Sequence, residues 1–295
     1  MNALYTPESL SGLLALLAEH AGGCVLVAGG TDVLAKRSRS ITADHQTNPS
    51  IIDLSRVDEM RGIALRDDTL RIGALETMTA ISENALVMKY AACLAAAAER
   101  IGSWQIRNSA TIGGNIANAS PAADTPPALA ALDATALAVS PRGSREVPVS
   151  GAFAAANRSV LEKDEVIAEL RIPLTPRRIS AFGKIGSRRE LSIARLNLAV
   201  AISAEAPLPA SARVFAGTLG KAALRCPGAE AALQGPASLD GVRDAFCAAL
   251  AAAVETAIPG RSTLPYKRSA IQALGEDVLD MLDRRVRPPV EASNG

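Results

Sequence analysis

Aromatic side chains are scarce in this chain: one Trp, three Tyr and four Phe, 3% of 295 residues. The apolar content is nonetheless 48%, so a sizeable core has to be built from Ala, Leu, Val and Ile. Histidine is scarcer, with only His20 and His45. His20 falls in the first predicted helix and His45 in a polar loop, so a Ser–His–acid constellation has no base to build on. The four cysteines stand at 24, 93, 226 and 247 with no CxxC spacing. That argues against a zinc or iron–sulfur site held by this chain alone, gives no disulfide framework, and points to a reducing compartment. Neither sign of charge dominates: 31 Lys+Arg against 30 Asp+Glu give a net charge of +1. No basic field argues for nucleic acid, and the Arg pairs at 177–178, 188–189 and 284–285 read as solvated surface. No run approaches the roughly 18 apolar residues of a membrane span. The opening MNALYTPESL lacks a basic segment followed by an apolar one, so no signal peptide is expected and the cytoplasm is the expected location. GxGxxG and GxxxxGK[ST] are both missing, which removes the usual dinucleotide and P-loop motifs.

The elements that are present alternate between helix and strand. Thr6-Pro7-Glu8 resembles a helix start, with Leu10, Leu13, Leu14 and Leu17 on one face and Gly22-Gly23 at its end. 24-CVLVA-28, 51-IIDLS-55 and 69-TLRIGA-74 read as strands. One long alanine-rich helix is predicted from Ala85 to Ile101, and another after Asp124 with Pro126-Pro127 in its first turn. 133-DATALAVS-140 and 145-REVPVS-150 form a predicted hairpin around Pro141-Arg142-Gly143, and 165-EVIAELRIP-173 alternates as a strand. Pro173–Pro176 is the domain boundary candidate. Beyond it three strands in meander order (180-SAFGKIGSR-188, 197-NLAVAISAEA-206, 212-ARVFAGTLG-220) precede helices over Leu239–Ile258 and Pro265–Val286. The expected organisation is 1–175 with two lobes, about 1–55 and 56–175, then a C-terminal domain over 176–288 and a frayed tail, 289–295.

Two double-glycine segments interrupt this pattern, 25-VLVAGGTDVL-34 and 108-NSATIGGNIANASPAAD-124. A glycine pair is commonly a turn or a cap. It also lets backbone N–H groups converge on an anion, because glycine lacks Cβ and reaches positive φ. Thr31 follows the first pair and Thr111 precedes the second, and neither turn carries Lys or Arg. A diphosphate held there would be held by N–H groups and hydroxyls. With no side-chain acid–base or metal machinery in evidence, a cofactor would carry the chemistry.

VAGGTDVL, 102-GSWQIRNSATIGGNIANASPAAD-124, 180-SAFGKIGSRRELSIA-194 and 264-LPYKRSAIQAL-274 resemble, in that order, the FAD-binding medium subunits of the molybdenum hydroxylases. That family includes bacterial xanthine dehydrogenases and carbon monoxide dehydrogenases. The resemblance implies an α+β chain: an FAD-binding fold of the vanillyl-alcohol-oxidase (p-cresol methylhydroxylase) type, then a small α/β domain of three antiparallel strands and helices. It implies that Leu26, Val27, Ala28, Gly29, Gly30, Thr31 and Asp32 line the diphosphate and ribityl part of FAD. Thr111, Gly114, Asn115 and Asn118 form the opposite wall, and Leu34 and Ala110 join the set. Asp124 accepts from a ribose or neighbouring hydroxyl. Ile101 and Ile167 match apolar positions near the flavin or adenine. Lys184 reaches the flavin ring across the domain interface, although by its residue pattern alone it reads as a surface strand lysine. Trp104 has two readings, ordinary packing and shielding of a flavin edge.

The resemblance also implies partner chains: a small subunit with two [2Fe–2S] clusters and a large molybdopterin subunit, arranged as a dimer of heterotrimers. Substrate is oxidised at molybdenum, and electrons pass through the clusters to FAD and on to an acceptor such as NAD⁺. 138-AVSPRGSREVPVSGAF-153 is similar to xanthine dehydrogenase-like subunits, which favours a purine or other N-heterocycle as the substrate. A cysteine-rich insert typical of a benzoyl-CoA-type reductase branch is lacking. The competing expectation is a self-sufficient FAD-dependent oxidase of the same fold.

Overall fold

The structure, a computed structural model, describes residues 3–20, 23–35, 49–188, 191–203, 211–234 and 239–286. His45, Gly22, Arg189 and the tail at 289–295 lie outside the described residues.

The first helix spans Leu10–His20 and buries Leu13 and Leu17, as its leucine spacing requires. Its start differs from the Thr6 reading. Ser9 is the capping residue: its Oγ accepts from Gly12 N–H at 3.1 Å and its carbonyl from Leu13 N–H at 3.0 Å. Glu59 Oε1 accepts from Leu10 N–H at 3.0 Å, while Glu8 turns outward to Arg56. Strands β1 (Leu4–Tyr5), β2 (Cys24–Val27) and β3 (Ser50–Asp53) make a small parallel sheet in the order β1-β3-β2.

A second sheet is antiparallel, in the order β4-β5-β10-β6-β7. It comprises β4 (Ile63–Arg66), β5 (Thr69–Gly73), β6 (Thr135–Ser140), β7 (Gly143–Pro148) and β10 (Val166–Pro173). β8 (Phe153–Ala155) and β9 (Arg158–Ser159) pair separately. The hairpin at Pro141–Gly143 forms as its turn residues indicate, with Gly143 at φ 129. Short helices cross between β5 and β6. The single helix predicted over Ala85–Ile101 is two helices, Ala85–Tyr90 and Ala92–Glu99, broken at Ala91 (φ −141, ψ 46). The alanine run conceals the break because no Gly or Pro marks it. Asn84 caps the first segment through Oδ1 to the N–H groups of Leu86 and Val87.

The C-terminal sheet runs β11 (Arg178–Gly186), β12 (Ala194–Ser203), β13 (Ser211–Gly217) and β14 (Leu224–Arg225). It has a fourth strand beyond the three expected. β14 is only two residues long, paired through Phe215–Arg225 and Ala216–Leu224, too short to leave an alternation in the sequence. The residues of this sheet alternate between two cores. Leu196, Leu198, Val200 and Ile202 face the helices Leu239–Ala257 and Leu264–Val286. Phe182, Ala199, Ala201 and Phe215 face the other way and join the core of the N-terminal region. The two halves of the chain are thus packed through one face of this sheet. On that face Ser180 Oγ accepts from Cys93 N–H at 3.1 Å.

Cys93 and Cys226 are core residues, their thiols pushed up by burial to about 11 and about 12. Arg178 is not the solvated surface residue its doublet implied. It folds back, donating to Pro173 O at 2.8 Å and to Thr175 Oγ1. No helix among the described residues is long and apolar enough to cross a membrane.

Candidate functional site

β2 delivers the first double glycine. The chain leaves the parallel sheet at Val27, paired with Asp53, and turns through Ala28–Asp32. Gly30 sits at φ 70, the left-handed region that L side chains rarely enter. Gly29 is required for a different reason: a Cβ there would lie 1.8 Å from Ser109 O, so the turn rests directly on the backbone of Ser109 and Ala110. Leu34 N–H donates to Gly30 O at 3.1 Å, the first bond of a helical turn. Among the described residues the N–H groups of Gly29, Gly30, Thr31 and Asp32 make no hydrogen bond, so this turn presents the donor set of an anion nest.

The second double glycine is not a nest. Gly113 and Gly114 lie in a helix, Ile112–Asn118, capped by Thr111. Its first donors are spent inside the protein: Ile112 N–H on Glu76 O (3.0 Å), Gly113 N–H on Ala74 O (2.9 Å) and Gly114 N–H on Thr111 Oγ1 (3.3 Å). What these glycines supply is close approach. A Cβ on Gly113 would meet Ala74 Cβ at 2.6 Å, locking this helix against the end of β5. A Cβ on Gly114 meets only Thr111 Oγ1, at 2.9 Å, because Gly114 faces the opposing turn. Asn115 Oδ1 accepts from the buried Thr125 hydroxyl at 2.6 Å, which fixes the amide and leaves its NH₂ as a donor.

Between the two segments lies a cleft of about 270 Å³. It is lined by Leu26 and Ala28–Val33 on one side and by Ala110, Thr111, Gly114, Asn115, Ala117 and Asn118 on the other. Its one charged lining residue is Asp32. The donors therefore fit a diphosphate held by neutral groups, as the sequence suggested, with the N–H groups coming from one wall. Six residues of the expected set lie outside that lining, Asp124 and Lys184 among them. Leu34 is half exposed, and Val27 is buried beneath the turn. Ile167 lines a separate, very small apolar void with Ile116, Ala136 and Val147. Ile101 is half-buried against the N-terminal core.

Asp124 and Lys184 meet at the seam between the two cores. Lys184 Nζ donates to Asp124 Oδ2 at 2.6 Å and to Arg100 O at 2.9 Å. Asp124 Oδ1 accepts from Asn197 Nδ2 at 2.9 Å, and the same amide donates to Ala123 O at 3.2 Å. Asp124 is thus engaged on both oxygens and buried, and the expectation of a ribose hydroxyl on it meets a carboxylate already held by protein donors. Burial pushes its carboxyl above the usual range, opposed by the Lys184 ammonium and the two hydrogen bonds. Lys184 is no surface lysine: its side chain is 8% exposed. It lines a second, larger groove of about 720 Å³, with Arg100, Gly102, Trp104, Arg107 and Arg188 among its walls. Trp104 is 56% exposed at that groove with the Arg107 guanidinium 5.6 Å from its ring, which excludes ordinary core packing. The histidine that is described, His20, lies tilted against Tyr5 with ring centroids 4.7 Å apart and lines neither cavity.

Residues 1–175 match the family model for the FAD-binding domain in molybdopterin dehydrogenase, and residues 181–282 match that for the carbon monoxide dehydrogenase flavoprotein C-terminal domain. The chain belongs to the FAD-binding medium subunits of the molybdenum hydroxylases. It is 30% identical to the nicotinate dehydrogenase FAD-subunit of Eubacterium barkeri, over 88% of this chain and 89% of that one. It is 34% identical to the xanthine dehydrogenase FAD-binding subunit of Escherichia coli O157:H7, over 71% of each. Its fold superposes with a TM-score of 0.84 on carbon monoxide dehydrogenase from Hydrogenophaga pseudoflava lacking the Mo-pyranopterin moiety, at 28% identity, covering 96% of this chain and 98% of the other.

The open donors of the 29–32 turn and the two facing glycine segments border one continuous cleft. Sequence reasoning missed Asn197, Thr125 and the carbonyl of Arg100. Asn197 is the sole amide in β12, and it stands opposite Lys184 once the β11–β12 register is known. That register is the only signal for it, and the sequence does not print it.

Proposed function

We propose that this chain carries FAD and relays electrons within a larger molybdenum hydroxylase. They would arrive from [2Fe–2S] clusters on a small partner subunit, supplied by a molybdopterin-bearing large subunit, and leave to an acceptor such as NAD⁺. A dimer of heterotrimers in the cytoplasm and a purine or other N-heterocycle as substrate complete the reading. The relatives named for nicotinate and xanthine support the substrate class. In this reading 1–175 is the FAD-binding domain, with lobes near 1–55 and 56–175, and 176–288 is the C-terminal domain before a short tail.

The observation that carries the reading is the 28–33 turn with its unspent N–H groups facing Thr111, Gly114 and Asn115 across one cleft. The turn at 28–33 with Thr111, Gly114 and Asn115 would hold the diphosphate and ribityl part of FAD, and Lys184 would serve its flavin end. Bound FAD supplies two-electron chemistry that can also proceed in single steps. The chain's own residues bind and orient. The N–H groups of Gly29–Asp32 and the hydroxyls of Thr31 and Thr111 neutralise phosphate charge, and the Lys184 ammonium favours an anionic ring nearby. Neither cavity holds a histidine, so the self-sufficient oxidase finds no imidazole base or flavin-linking histidine among the described residues. Acid precipitation of the purified protein should release one equivalent of flavin to the supernatant. Colourless protein after refolding with excess FAD would sink the reading.

A further inference from the structure

Asn197 is fully buried, and its Oδ1 has no hydrogen-bond partner. A buried amide with an unmet acceptor is costly, and an apolar side chain of the same size would suit the β12 strand better. Its two donated bonds account for its presence. Both go across the seam to the N-terminal core, to Ala123 O and Asp124 Oδ1. The opposite side of the amide is shaped as closely. Gly217 stands directly across from Asn197 on β13, and a Cβ there would lie 2.1 Å from Asn197 Oδ1. Lys184, Asn197 and Gly217 therefore form one cross-strand row. That row ends the apolar face formed by Phe182, Ala199 and Phe215.

The chain of contacts runs Asn197 to Asp124 to Lys184. Without the amide, Asp124 would lose the donor on Oδ1, and its carboxylate could turn away from Lys184. With the amide, Oδ2 faces Nζ, and two of the three Lys184 donors are spent on Asp124 and Arg100 O. Lys184 itself lines the groove. We propose that Asn197 is a positioning residue of the cofactor site: through Asp124 it fixes the Lys184 ammonium at the interdomain groove, and Gly217 makes room for it to do so. The inference rests on the reading that Lys184 faces the flavin end of bound FAD.

The test uses the full-length chain and FAD itself. FAD affinity by fluorescence titration and the midpoint potential of the bound flavin are measured for wild type, Lys184→Met, Asn197→Leu and Gly217→Ala. Lys184→Met removes the positive charge, so the potential should move negative and affinity should fall. Asn197→Leu should shift both in the same direction, and the double variant should add little to Lys184→Met alone. Gly217→Ala, which touches neither Asp124 nor Lys184, should repeat the effect in weaker form. If Asn197→Leu does not fold, Gly217→Ala decides. Unchanged potential in Asn197→Leu or in the deciding Gly217→Ala, beside a clear shift in Lys184→Met, overturns the proposal. A potential unmoved by Lys184→Met overturns it as well, while a wild-type chain that takes up no FAD removes the underlying functional reading instead.

Discussion

Gly30, Gly113 and Gly114 look alike in the sequence and are glycines for different physical reasons. Gly30 needs positive φ, Gly113 lacks room for a methyl group, and Gly114 keeps a wall of the cleft flat. Gly30→Val should cost about 1–3 kcal/mol in backbone strain and also close the nest, so FAD retention and stability fall together. Gly113→Ala should cost about 1–3 kcal/mol by overpacking against Ala74. Gly114→Val should leave folding largely intact yet reduce FAD retention, because its side chain projects at Thr111 and the cleft. Thermal unfolding of the apo chain beside FAD titration separates the three. Equal FAD affinity in wild type and Gly114→Val would remove Gly114 from the site. The sequence singled the glycine pairs out, since Thr31 follows one and Thr111 precedes the other. It could not show which glycine did what, because Ser109 O and Ala74 reach them from elsewhere in the chain.

Elements were legible where a periodic apolar face met a turn residue, as in Leu10–His20 and in β6, β7 and β10. They were not legible where a cap or a tertiary bond set the boundary. The helix Ile112–Asn118 hid behind its Gly-Gly-Asn composition, since its propensity is poor and its start depends on Thr111 and on carbonyls of Ala74 and Glu76. Thr111→Ala should therefore cost about 1 kcal/mol, and because Thr111 also lines the cleft, FAD affinity should fall with it. Denaturant titration with and without FAD measures both. A second device ties β7 to the segment before β10. Arg145 grips Glu165 through Nε to Oε1 at 2.7 Å and Nη2 to Oε2 at 2.8 Å, and the side-chain hydrogen bonds from Arg145 hold the Glu165 carboxyl below the usual carboxylate range. A depressed folded-state value means stability that is present above the unfolded value and lost as pH falls through the folded one. Arg145→Met should destabilise the protein at neutral pH, and the difference from wild type should shrink below about pH 4. A gap that stays constant down to acid unfolding would show that the pair contributes nothing through charge.

At the scale of the whole molecule the chain is a scaffold with missing parts. Both cavities border the same stretch, residues 99–118, which joins the N-terminal cleft to the groove at the C-terminal sheet. A cofactor that bridged them would bind only the docked arrangement of the two cores, so binding should stabilise the molecule as a unit. FAD at a hundredfold excess over its Kd should add about 2.7 kcal/mol to unfolding. If the two cores respond together, the unfolding transition stays single as it moves upward in temperature; a split transition with only one half shifted would mean that the cofactor contacts one core alone. Trp104 and Leu191, one from each half of the chain, line the groove and are exposed, and Ile193, two residues beyond Leu191, is 79% exposed. In the proposed relay the donor would sit on another chain, since the cysteines at hand have no cluster spacing and Cys93 and Cys226 are core thiols. A tag on this chain in its native host should therefore recover iron–sulfur and molybdenum polypeptides in equal amounts, with substrate oxidation present in that assembly and absent from the isolated subunit. A lone chain that oxidised an N-heterocycle would overturn the relay and restore the self-sufficient oxidase.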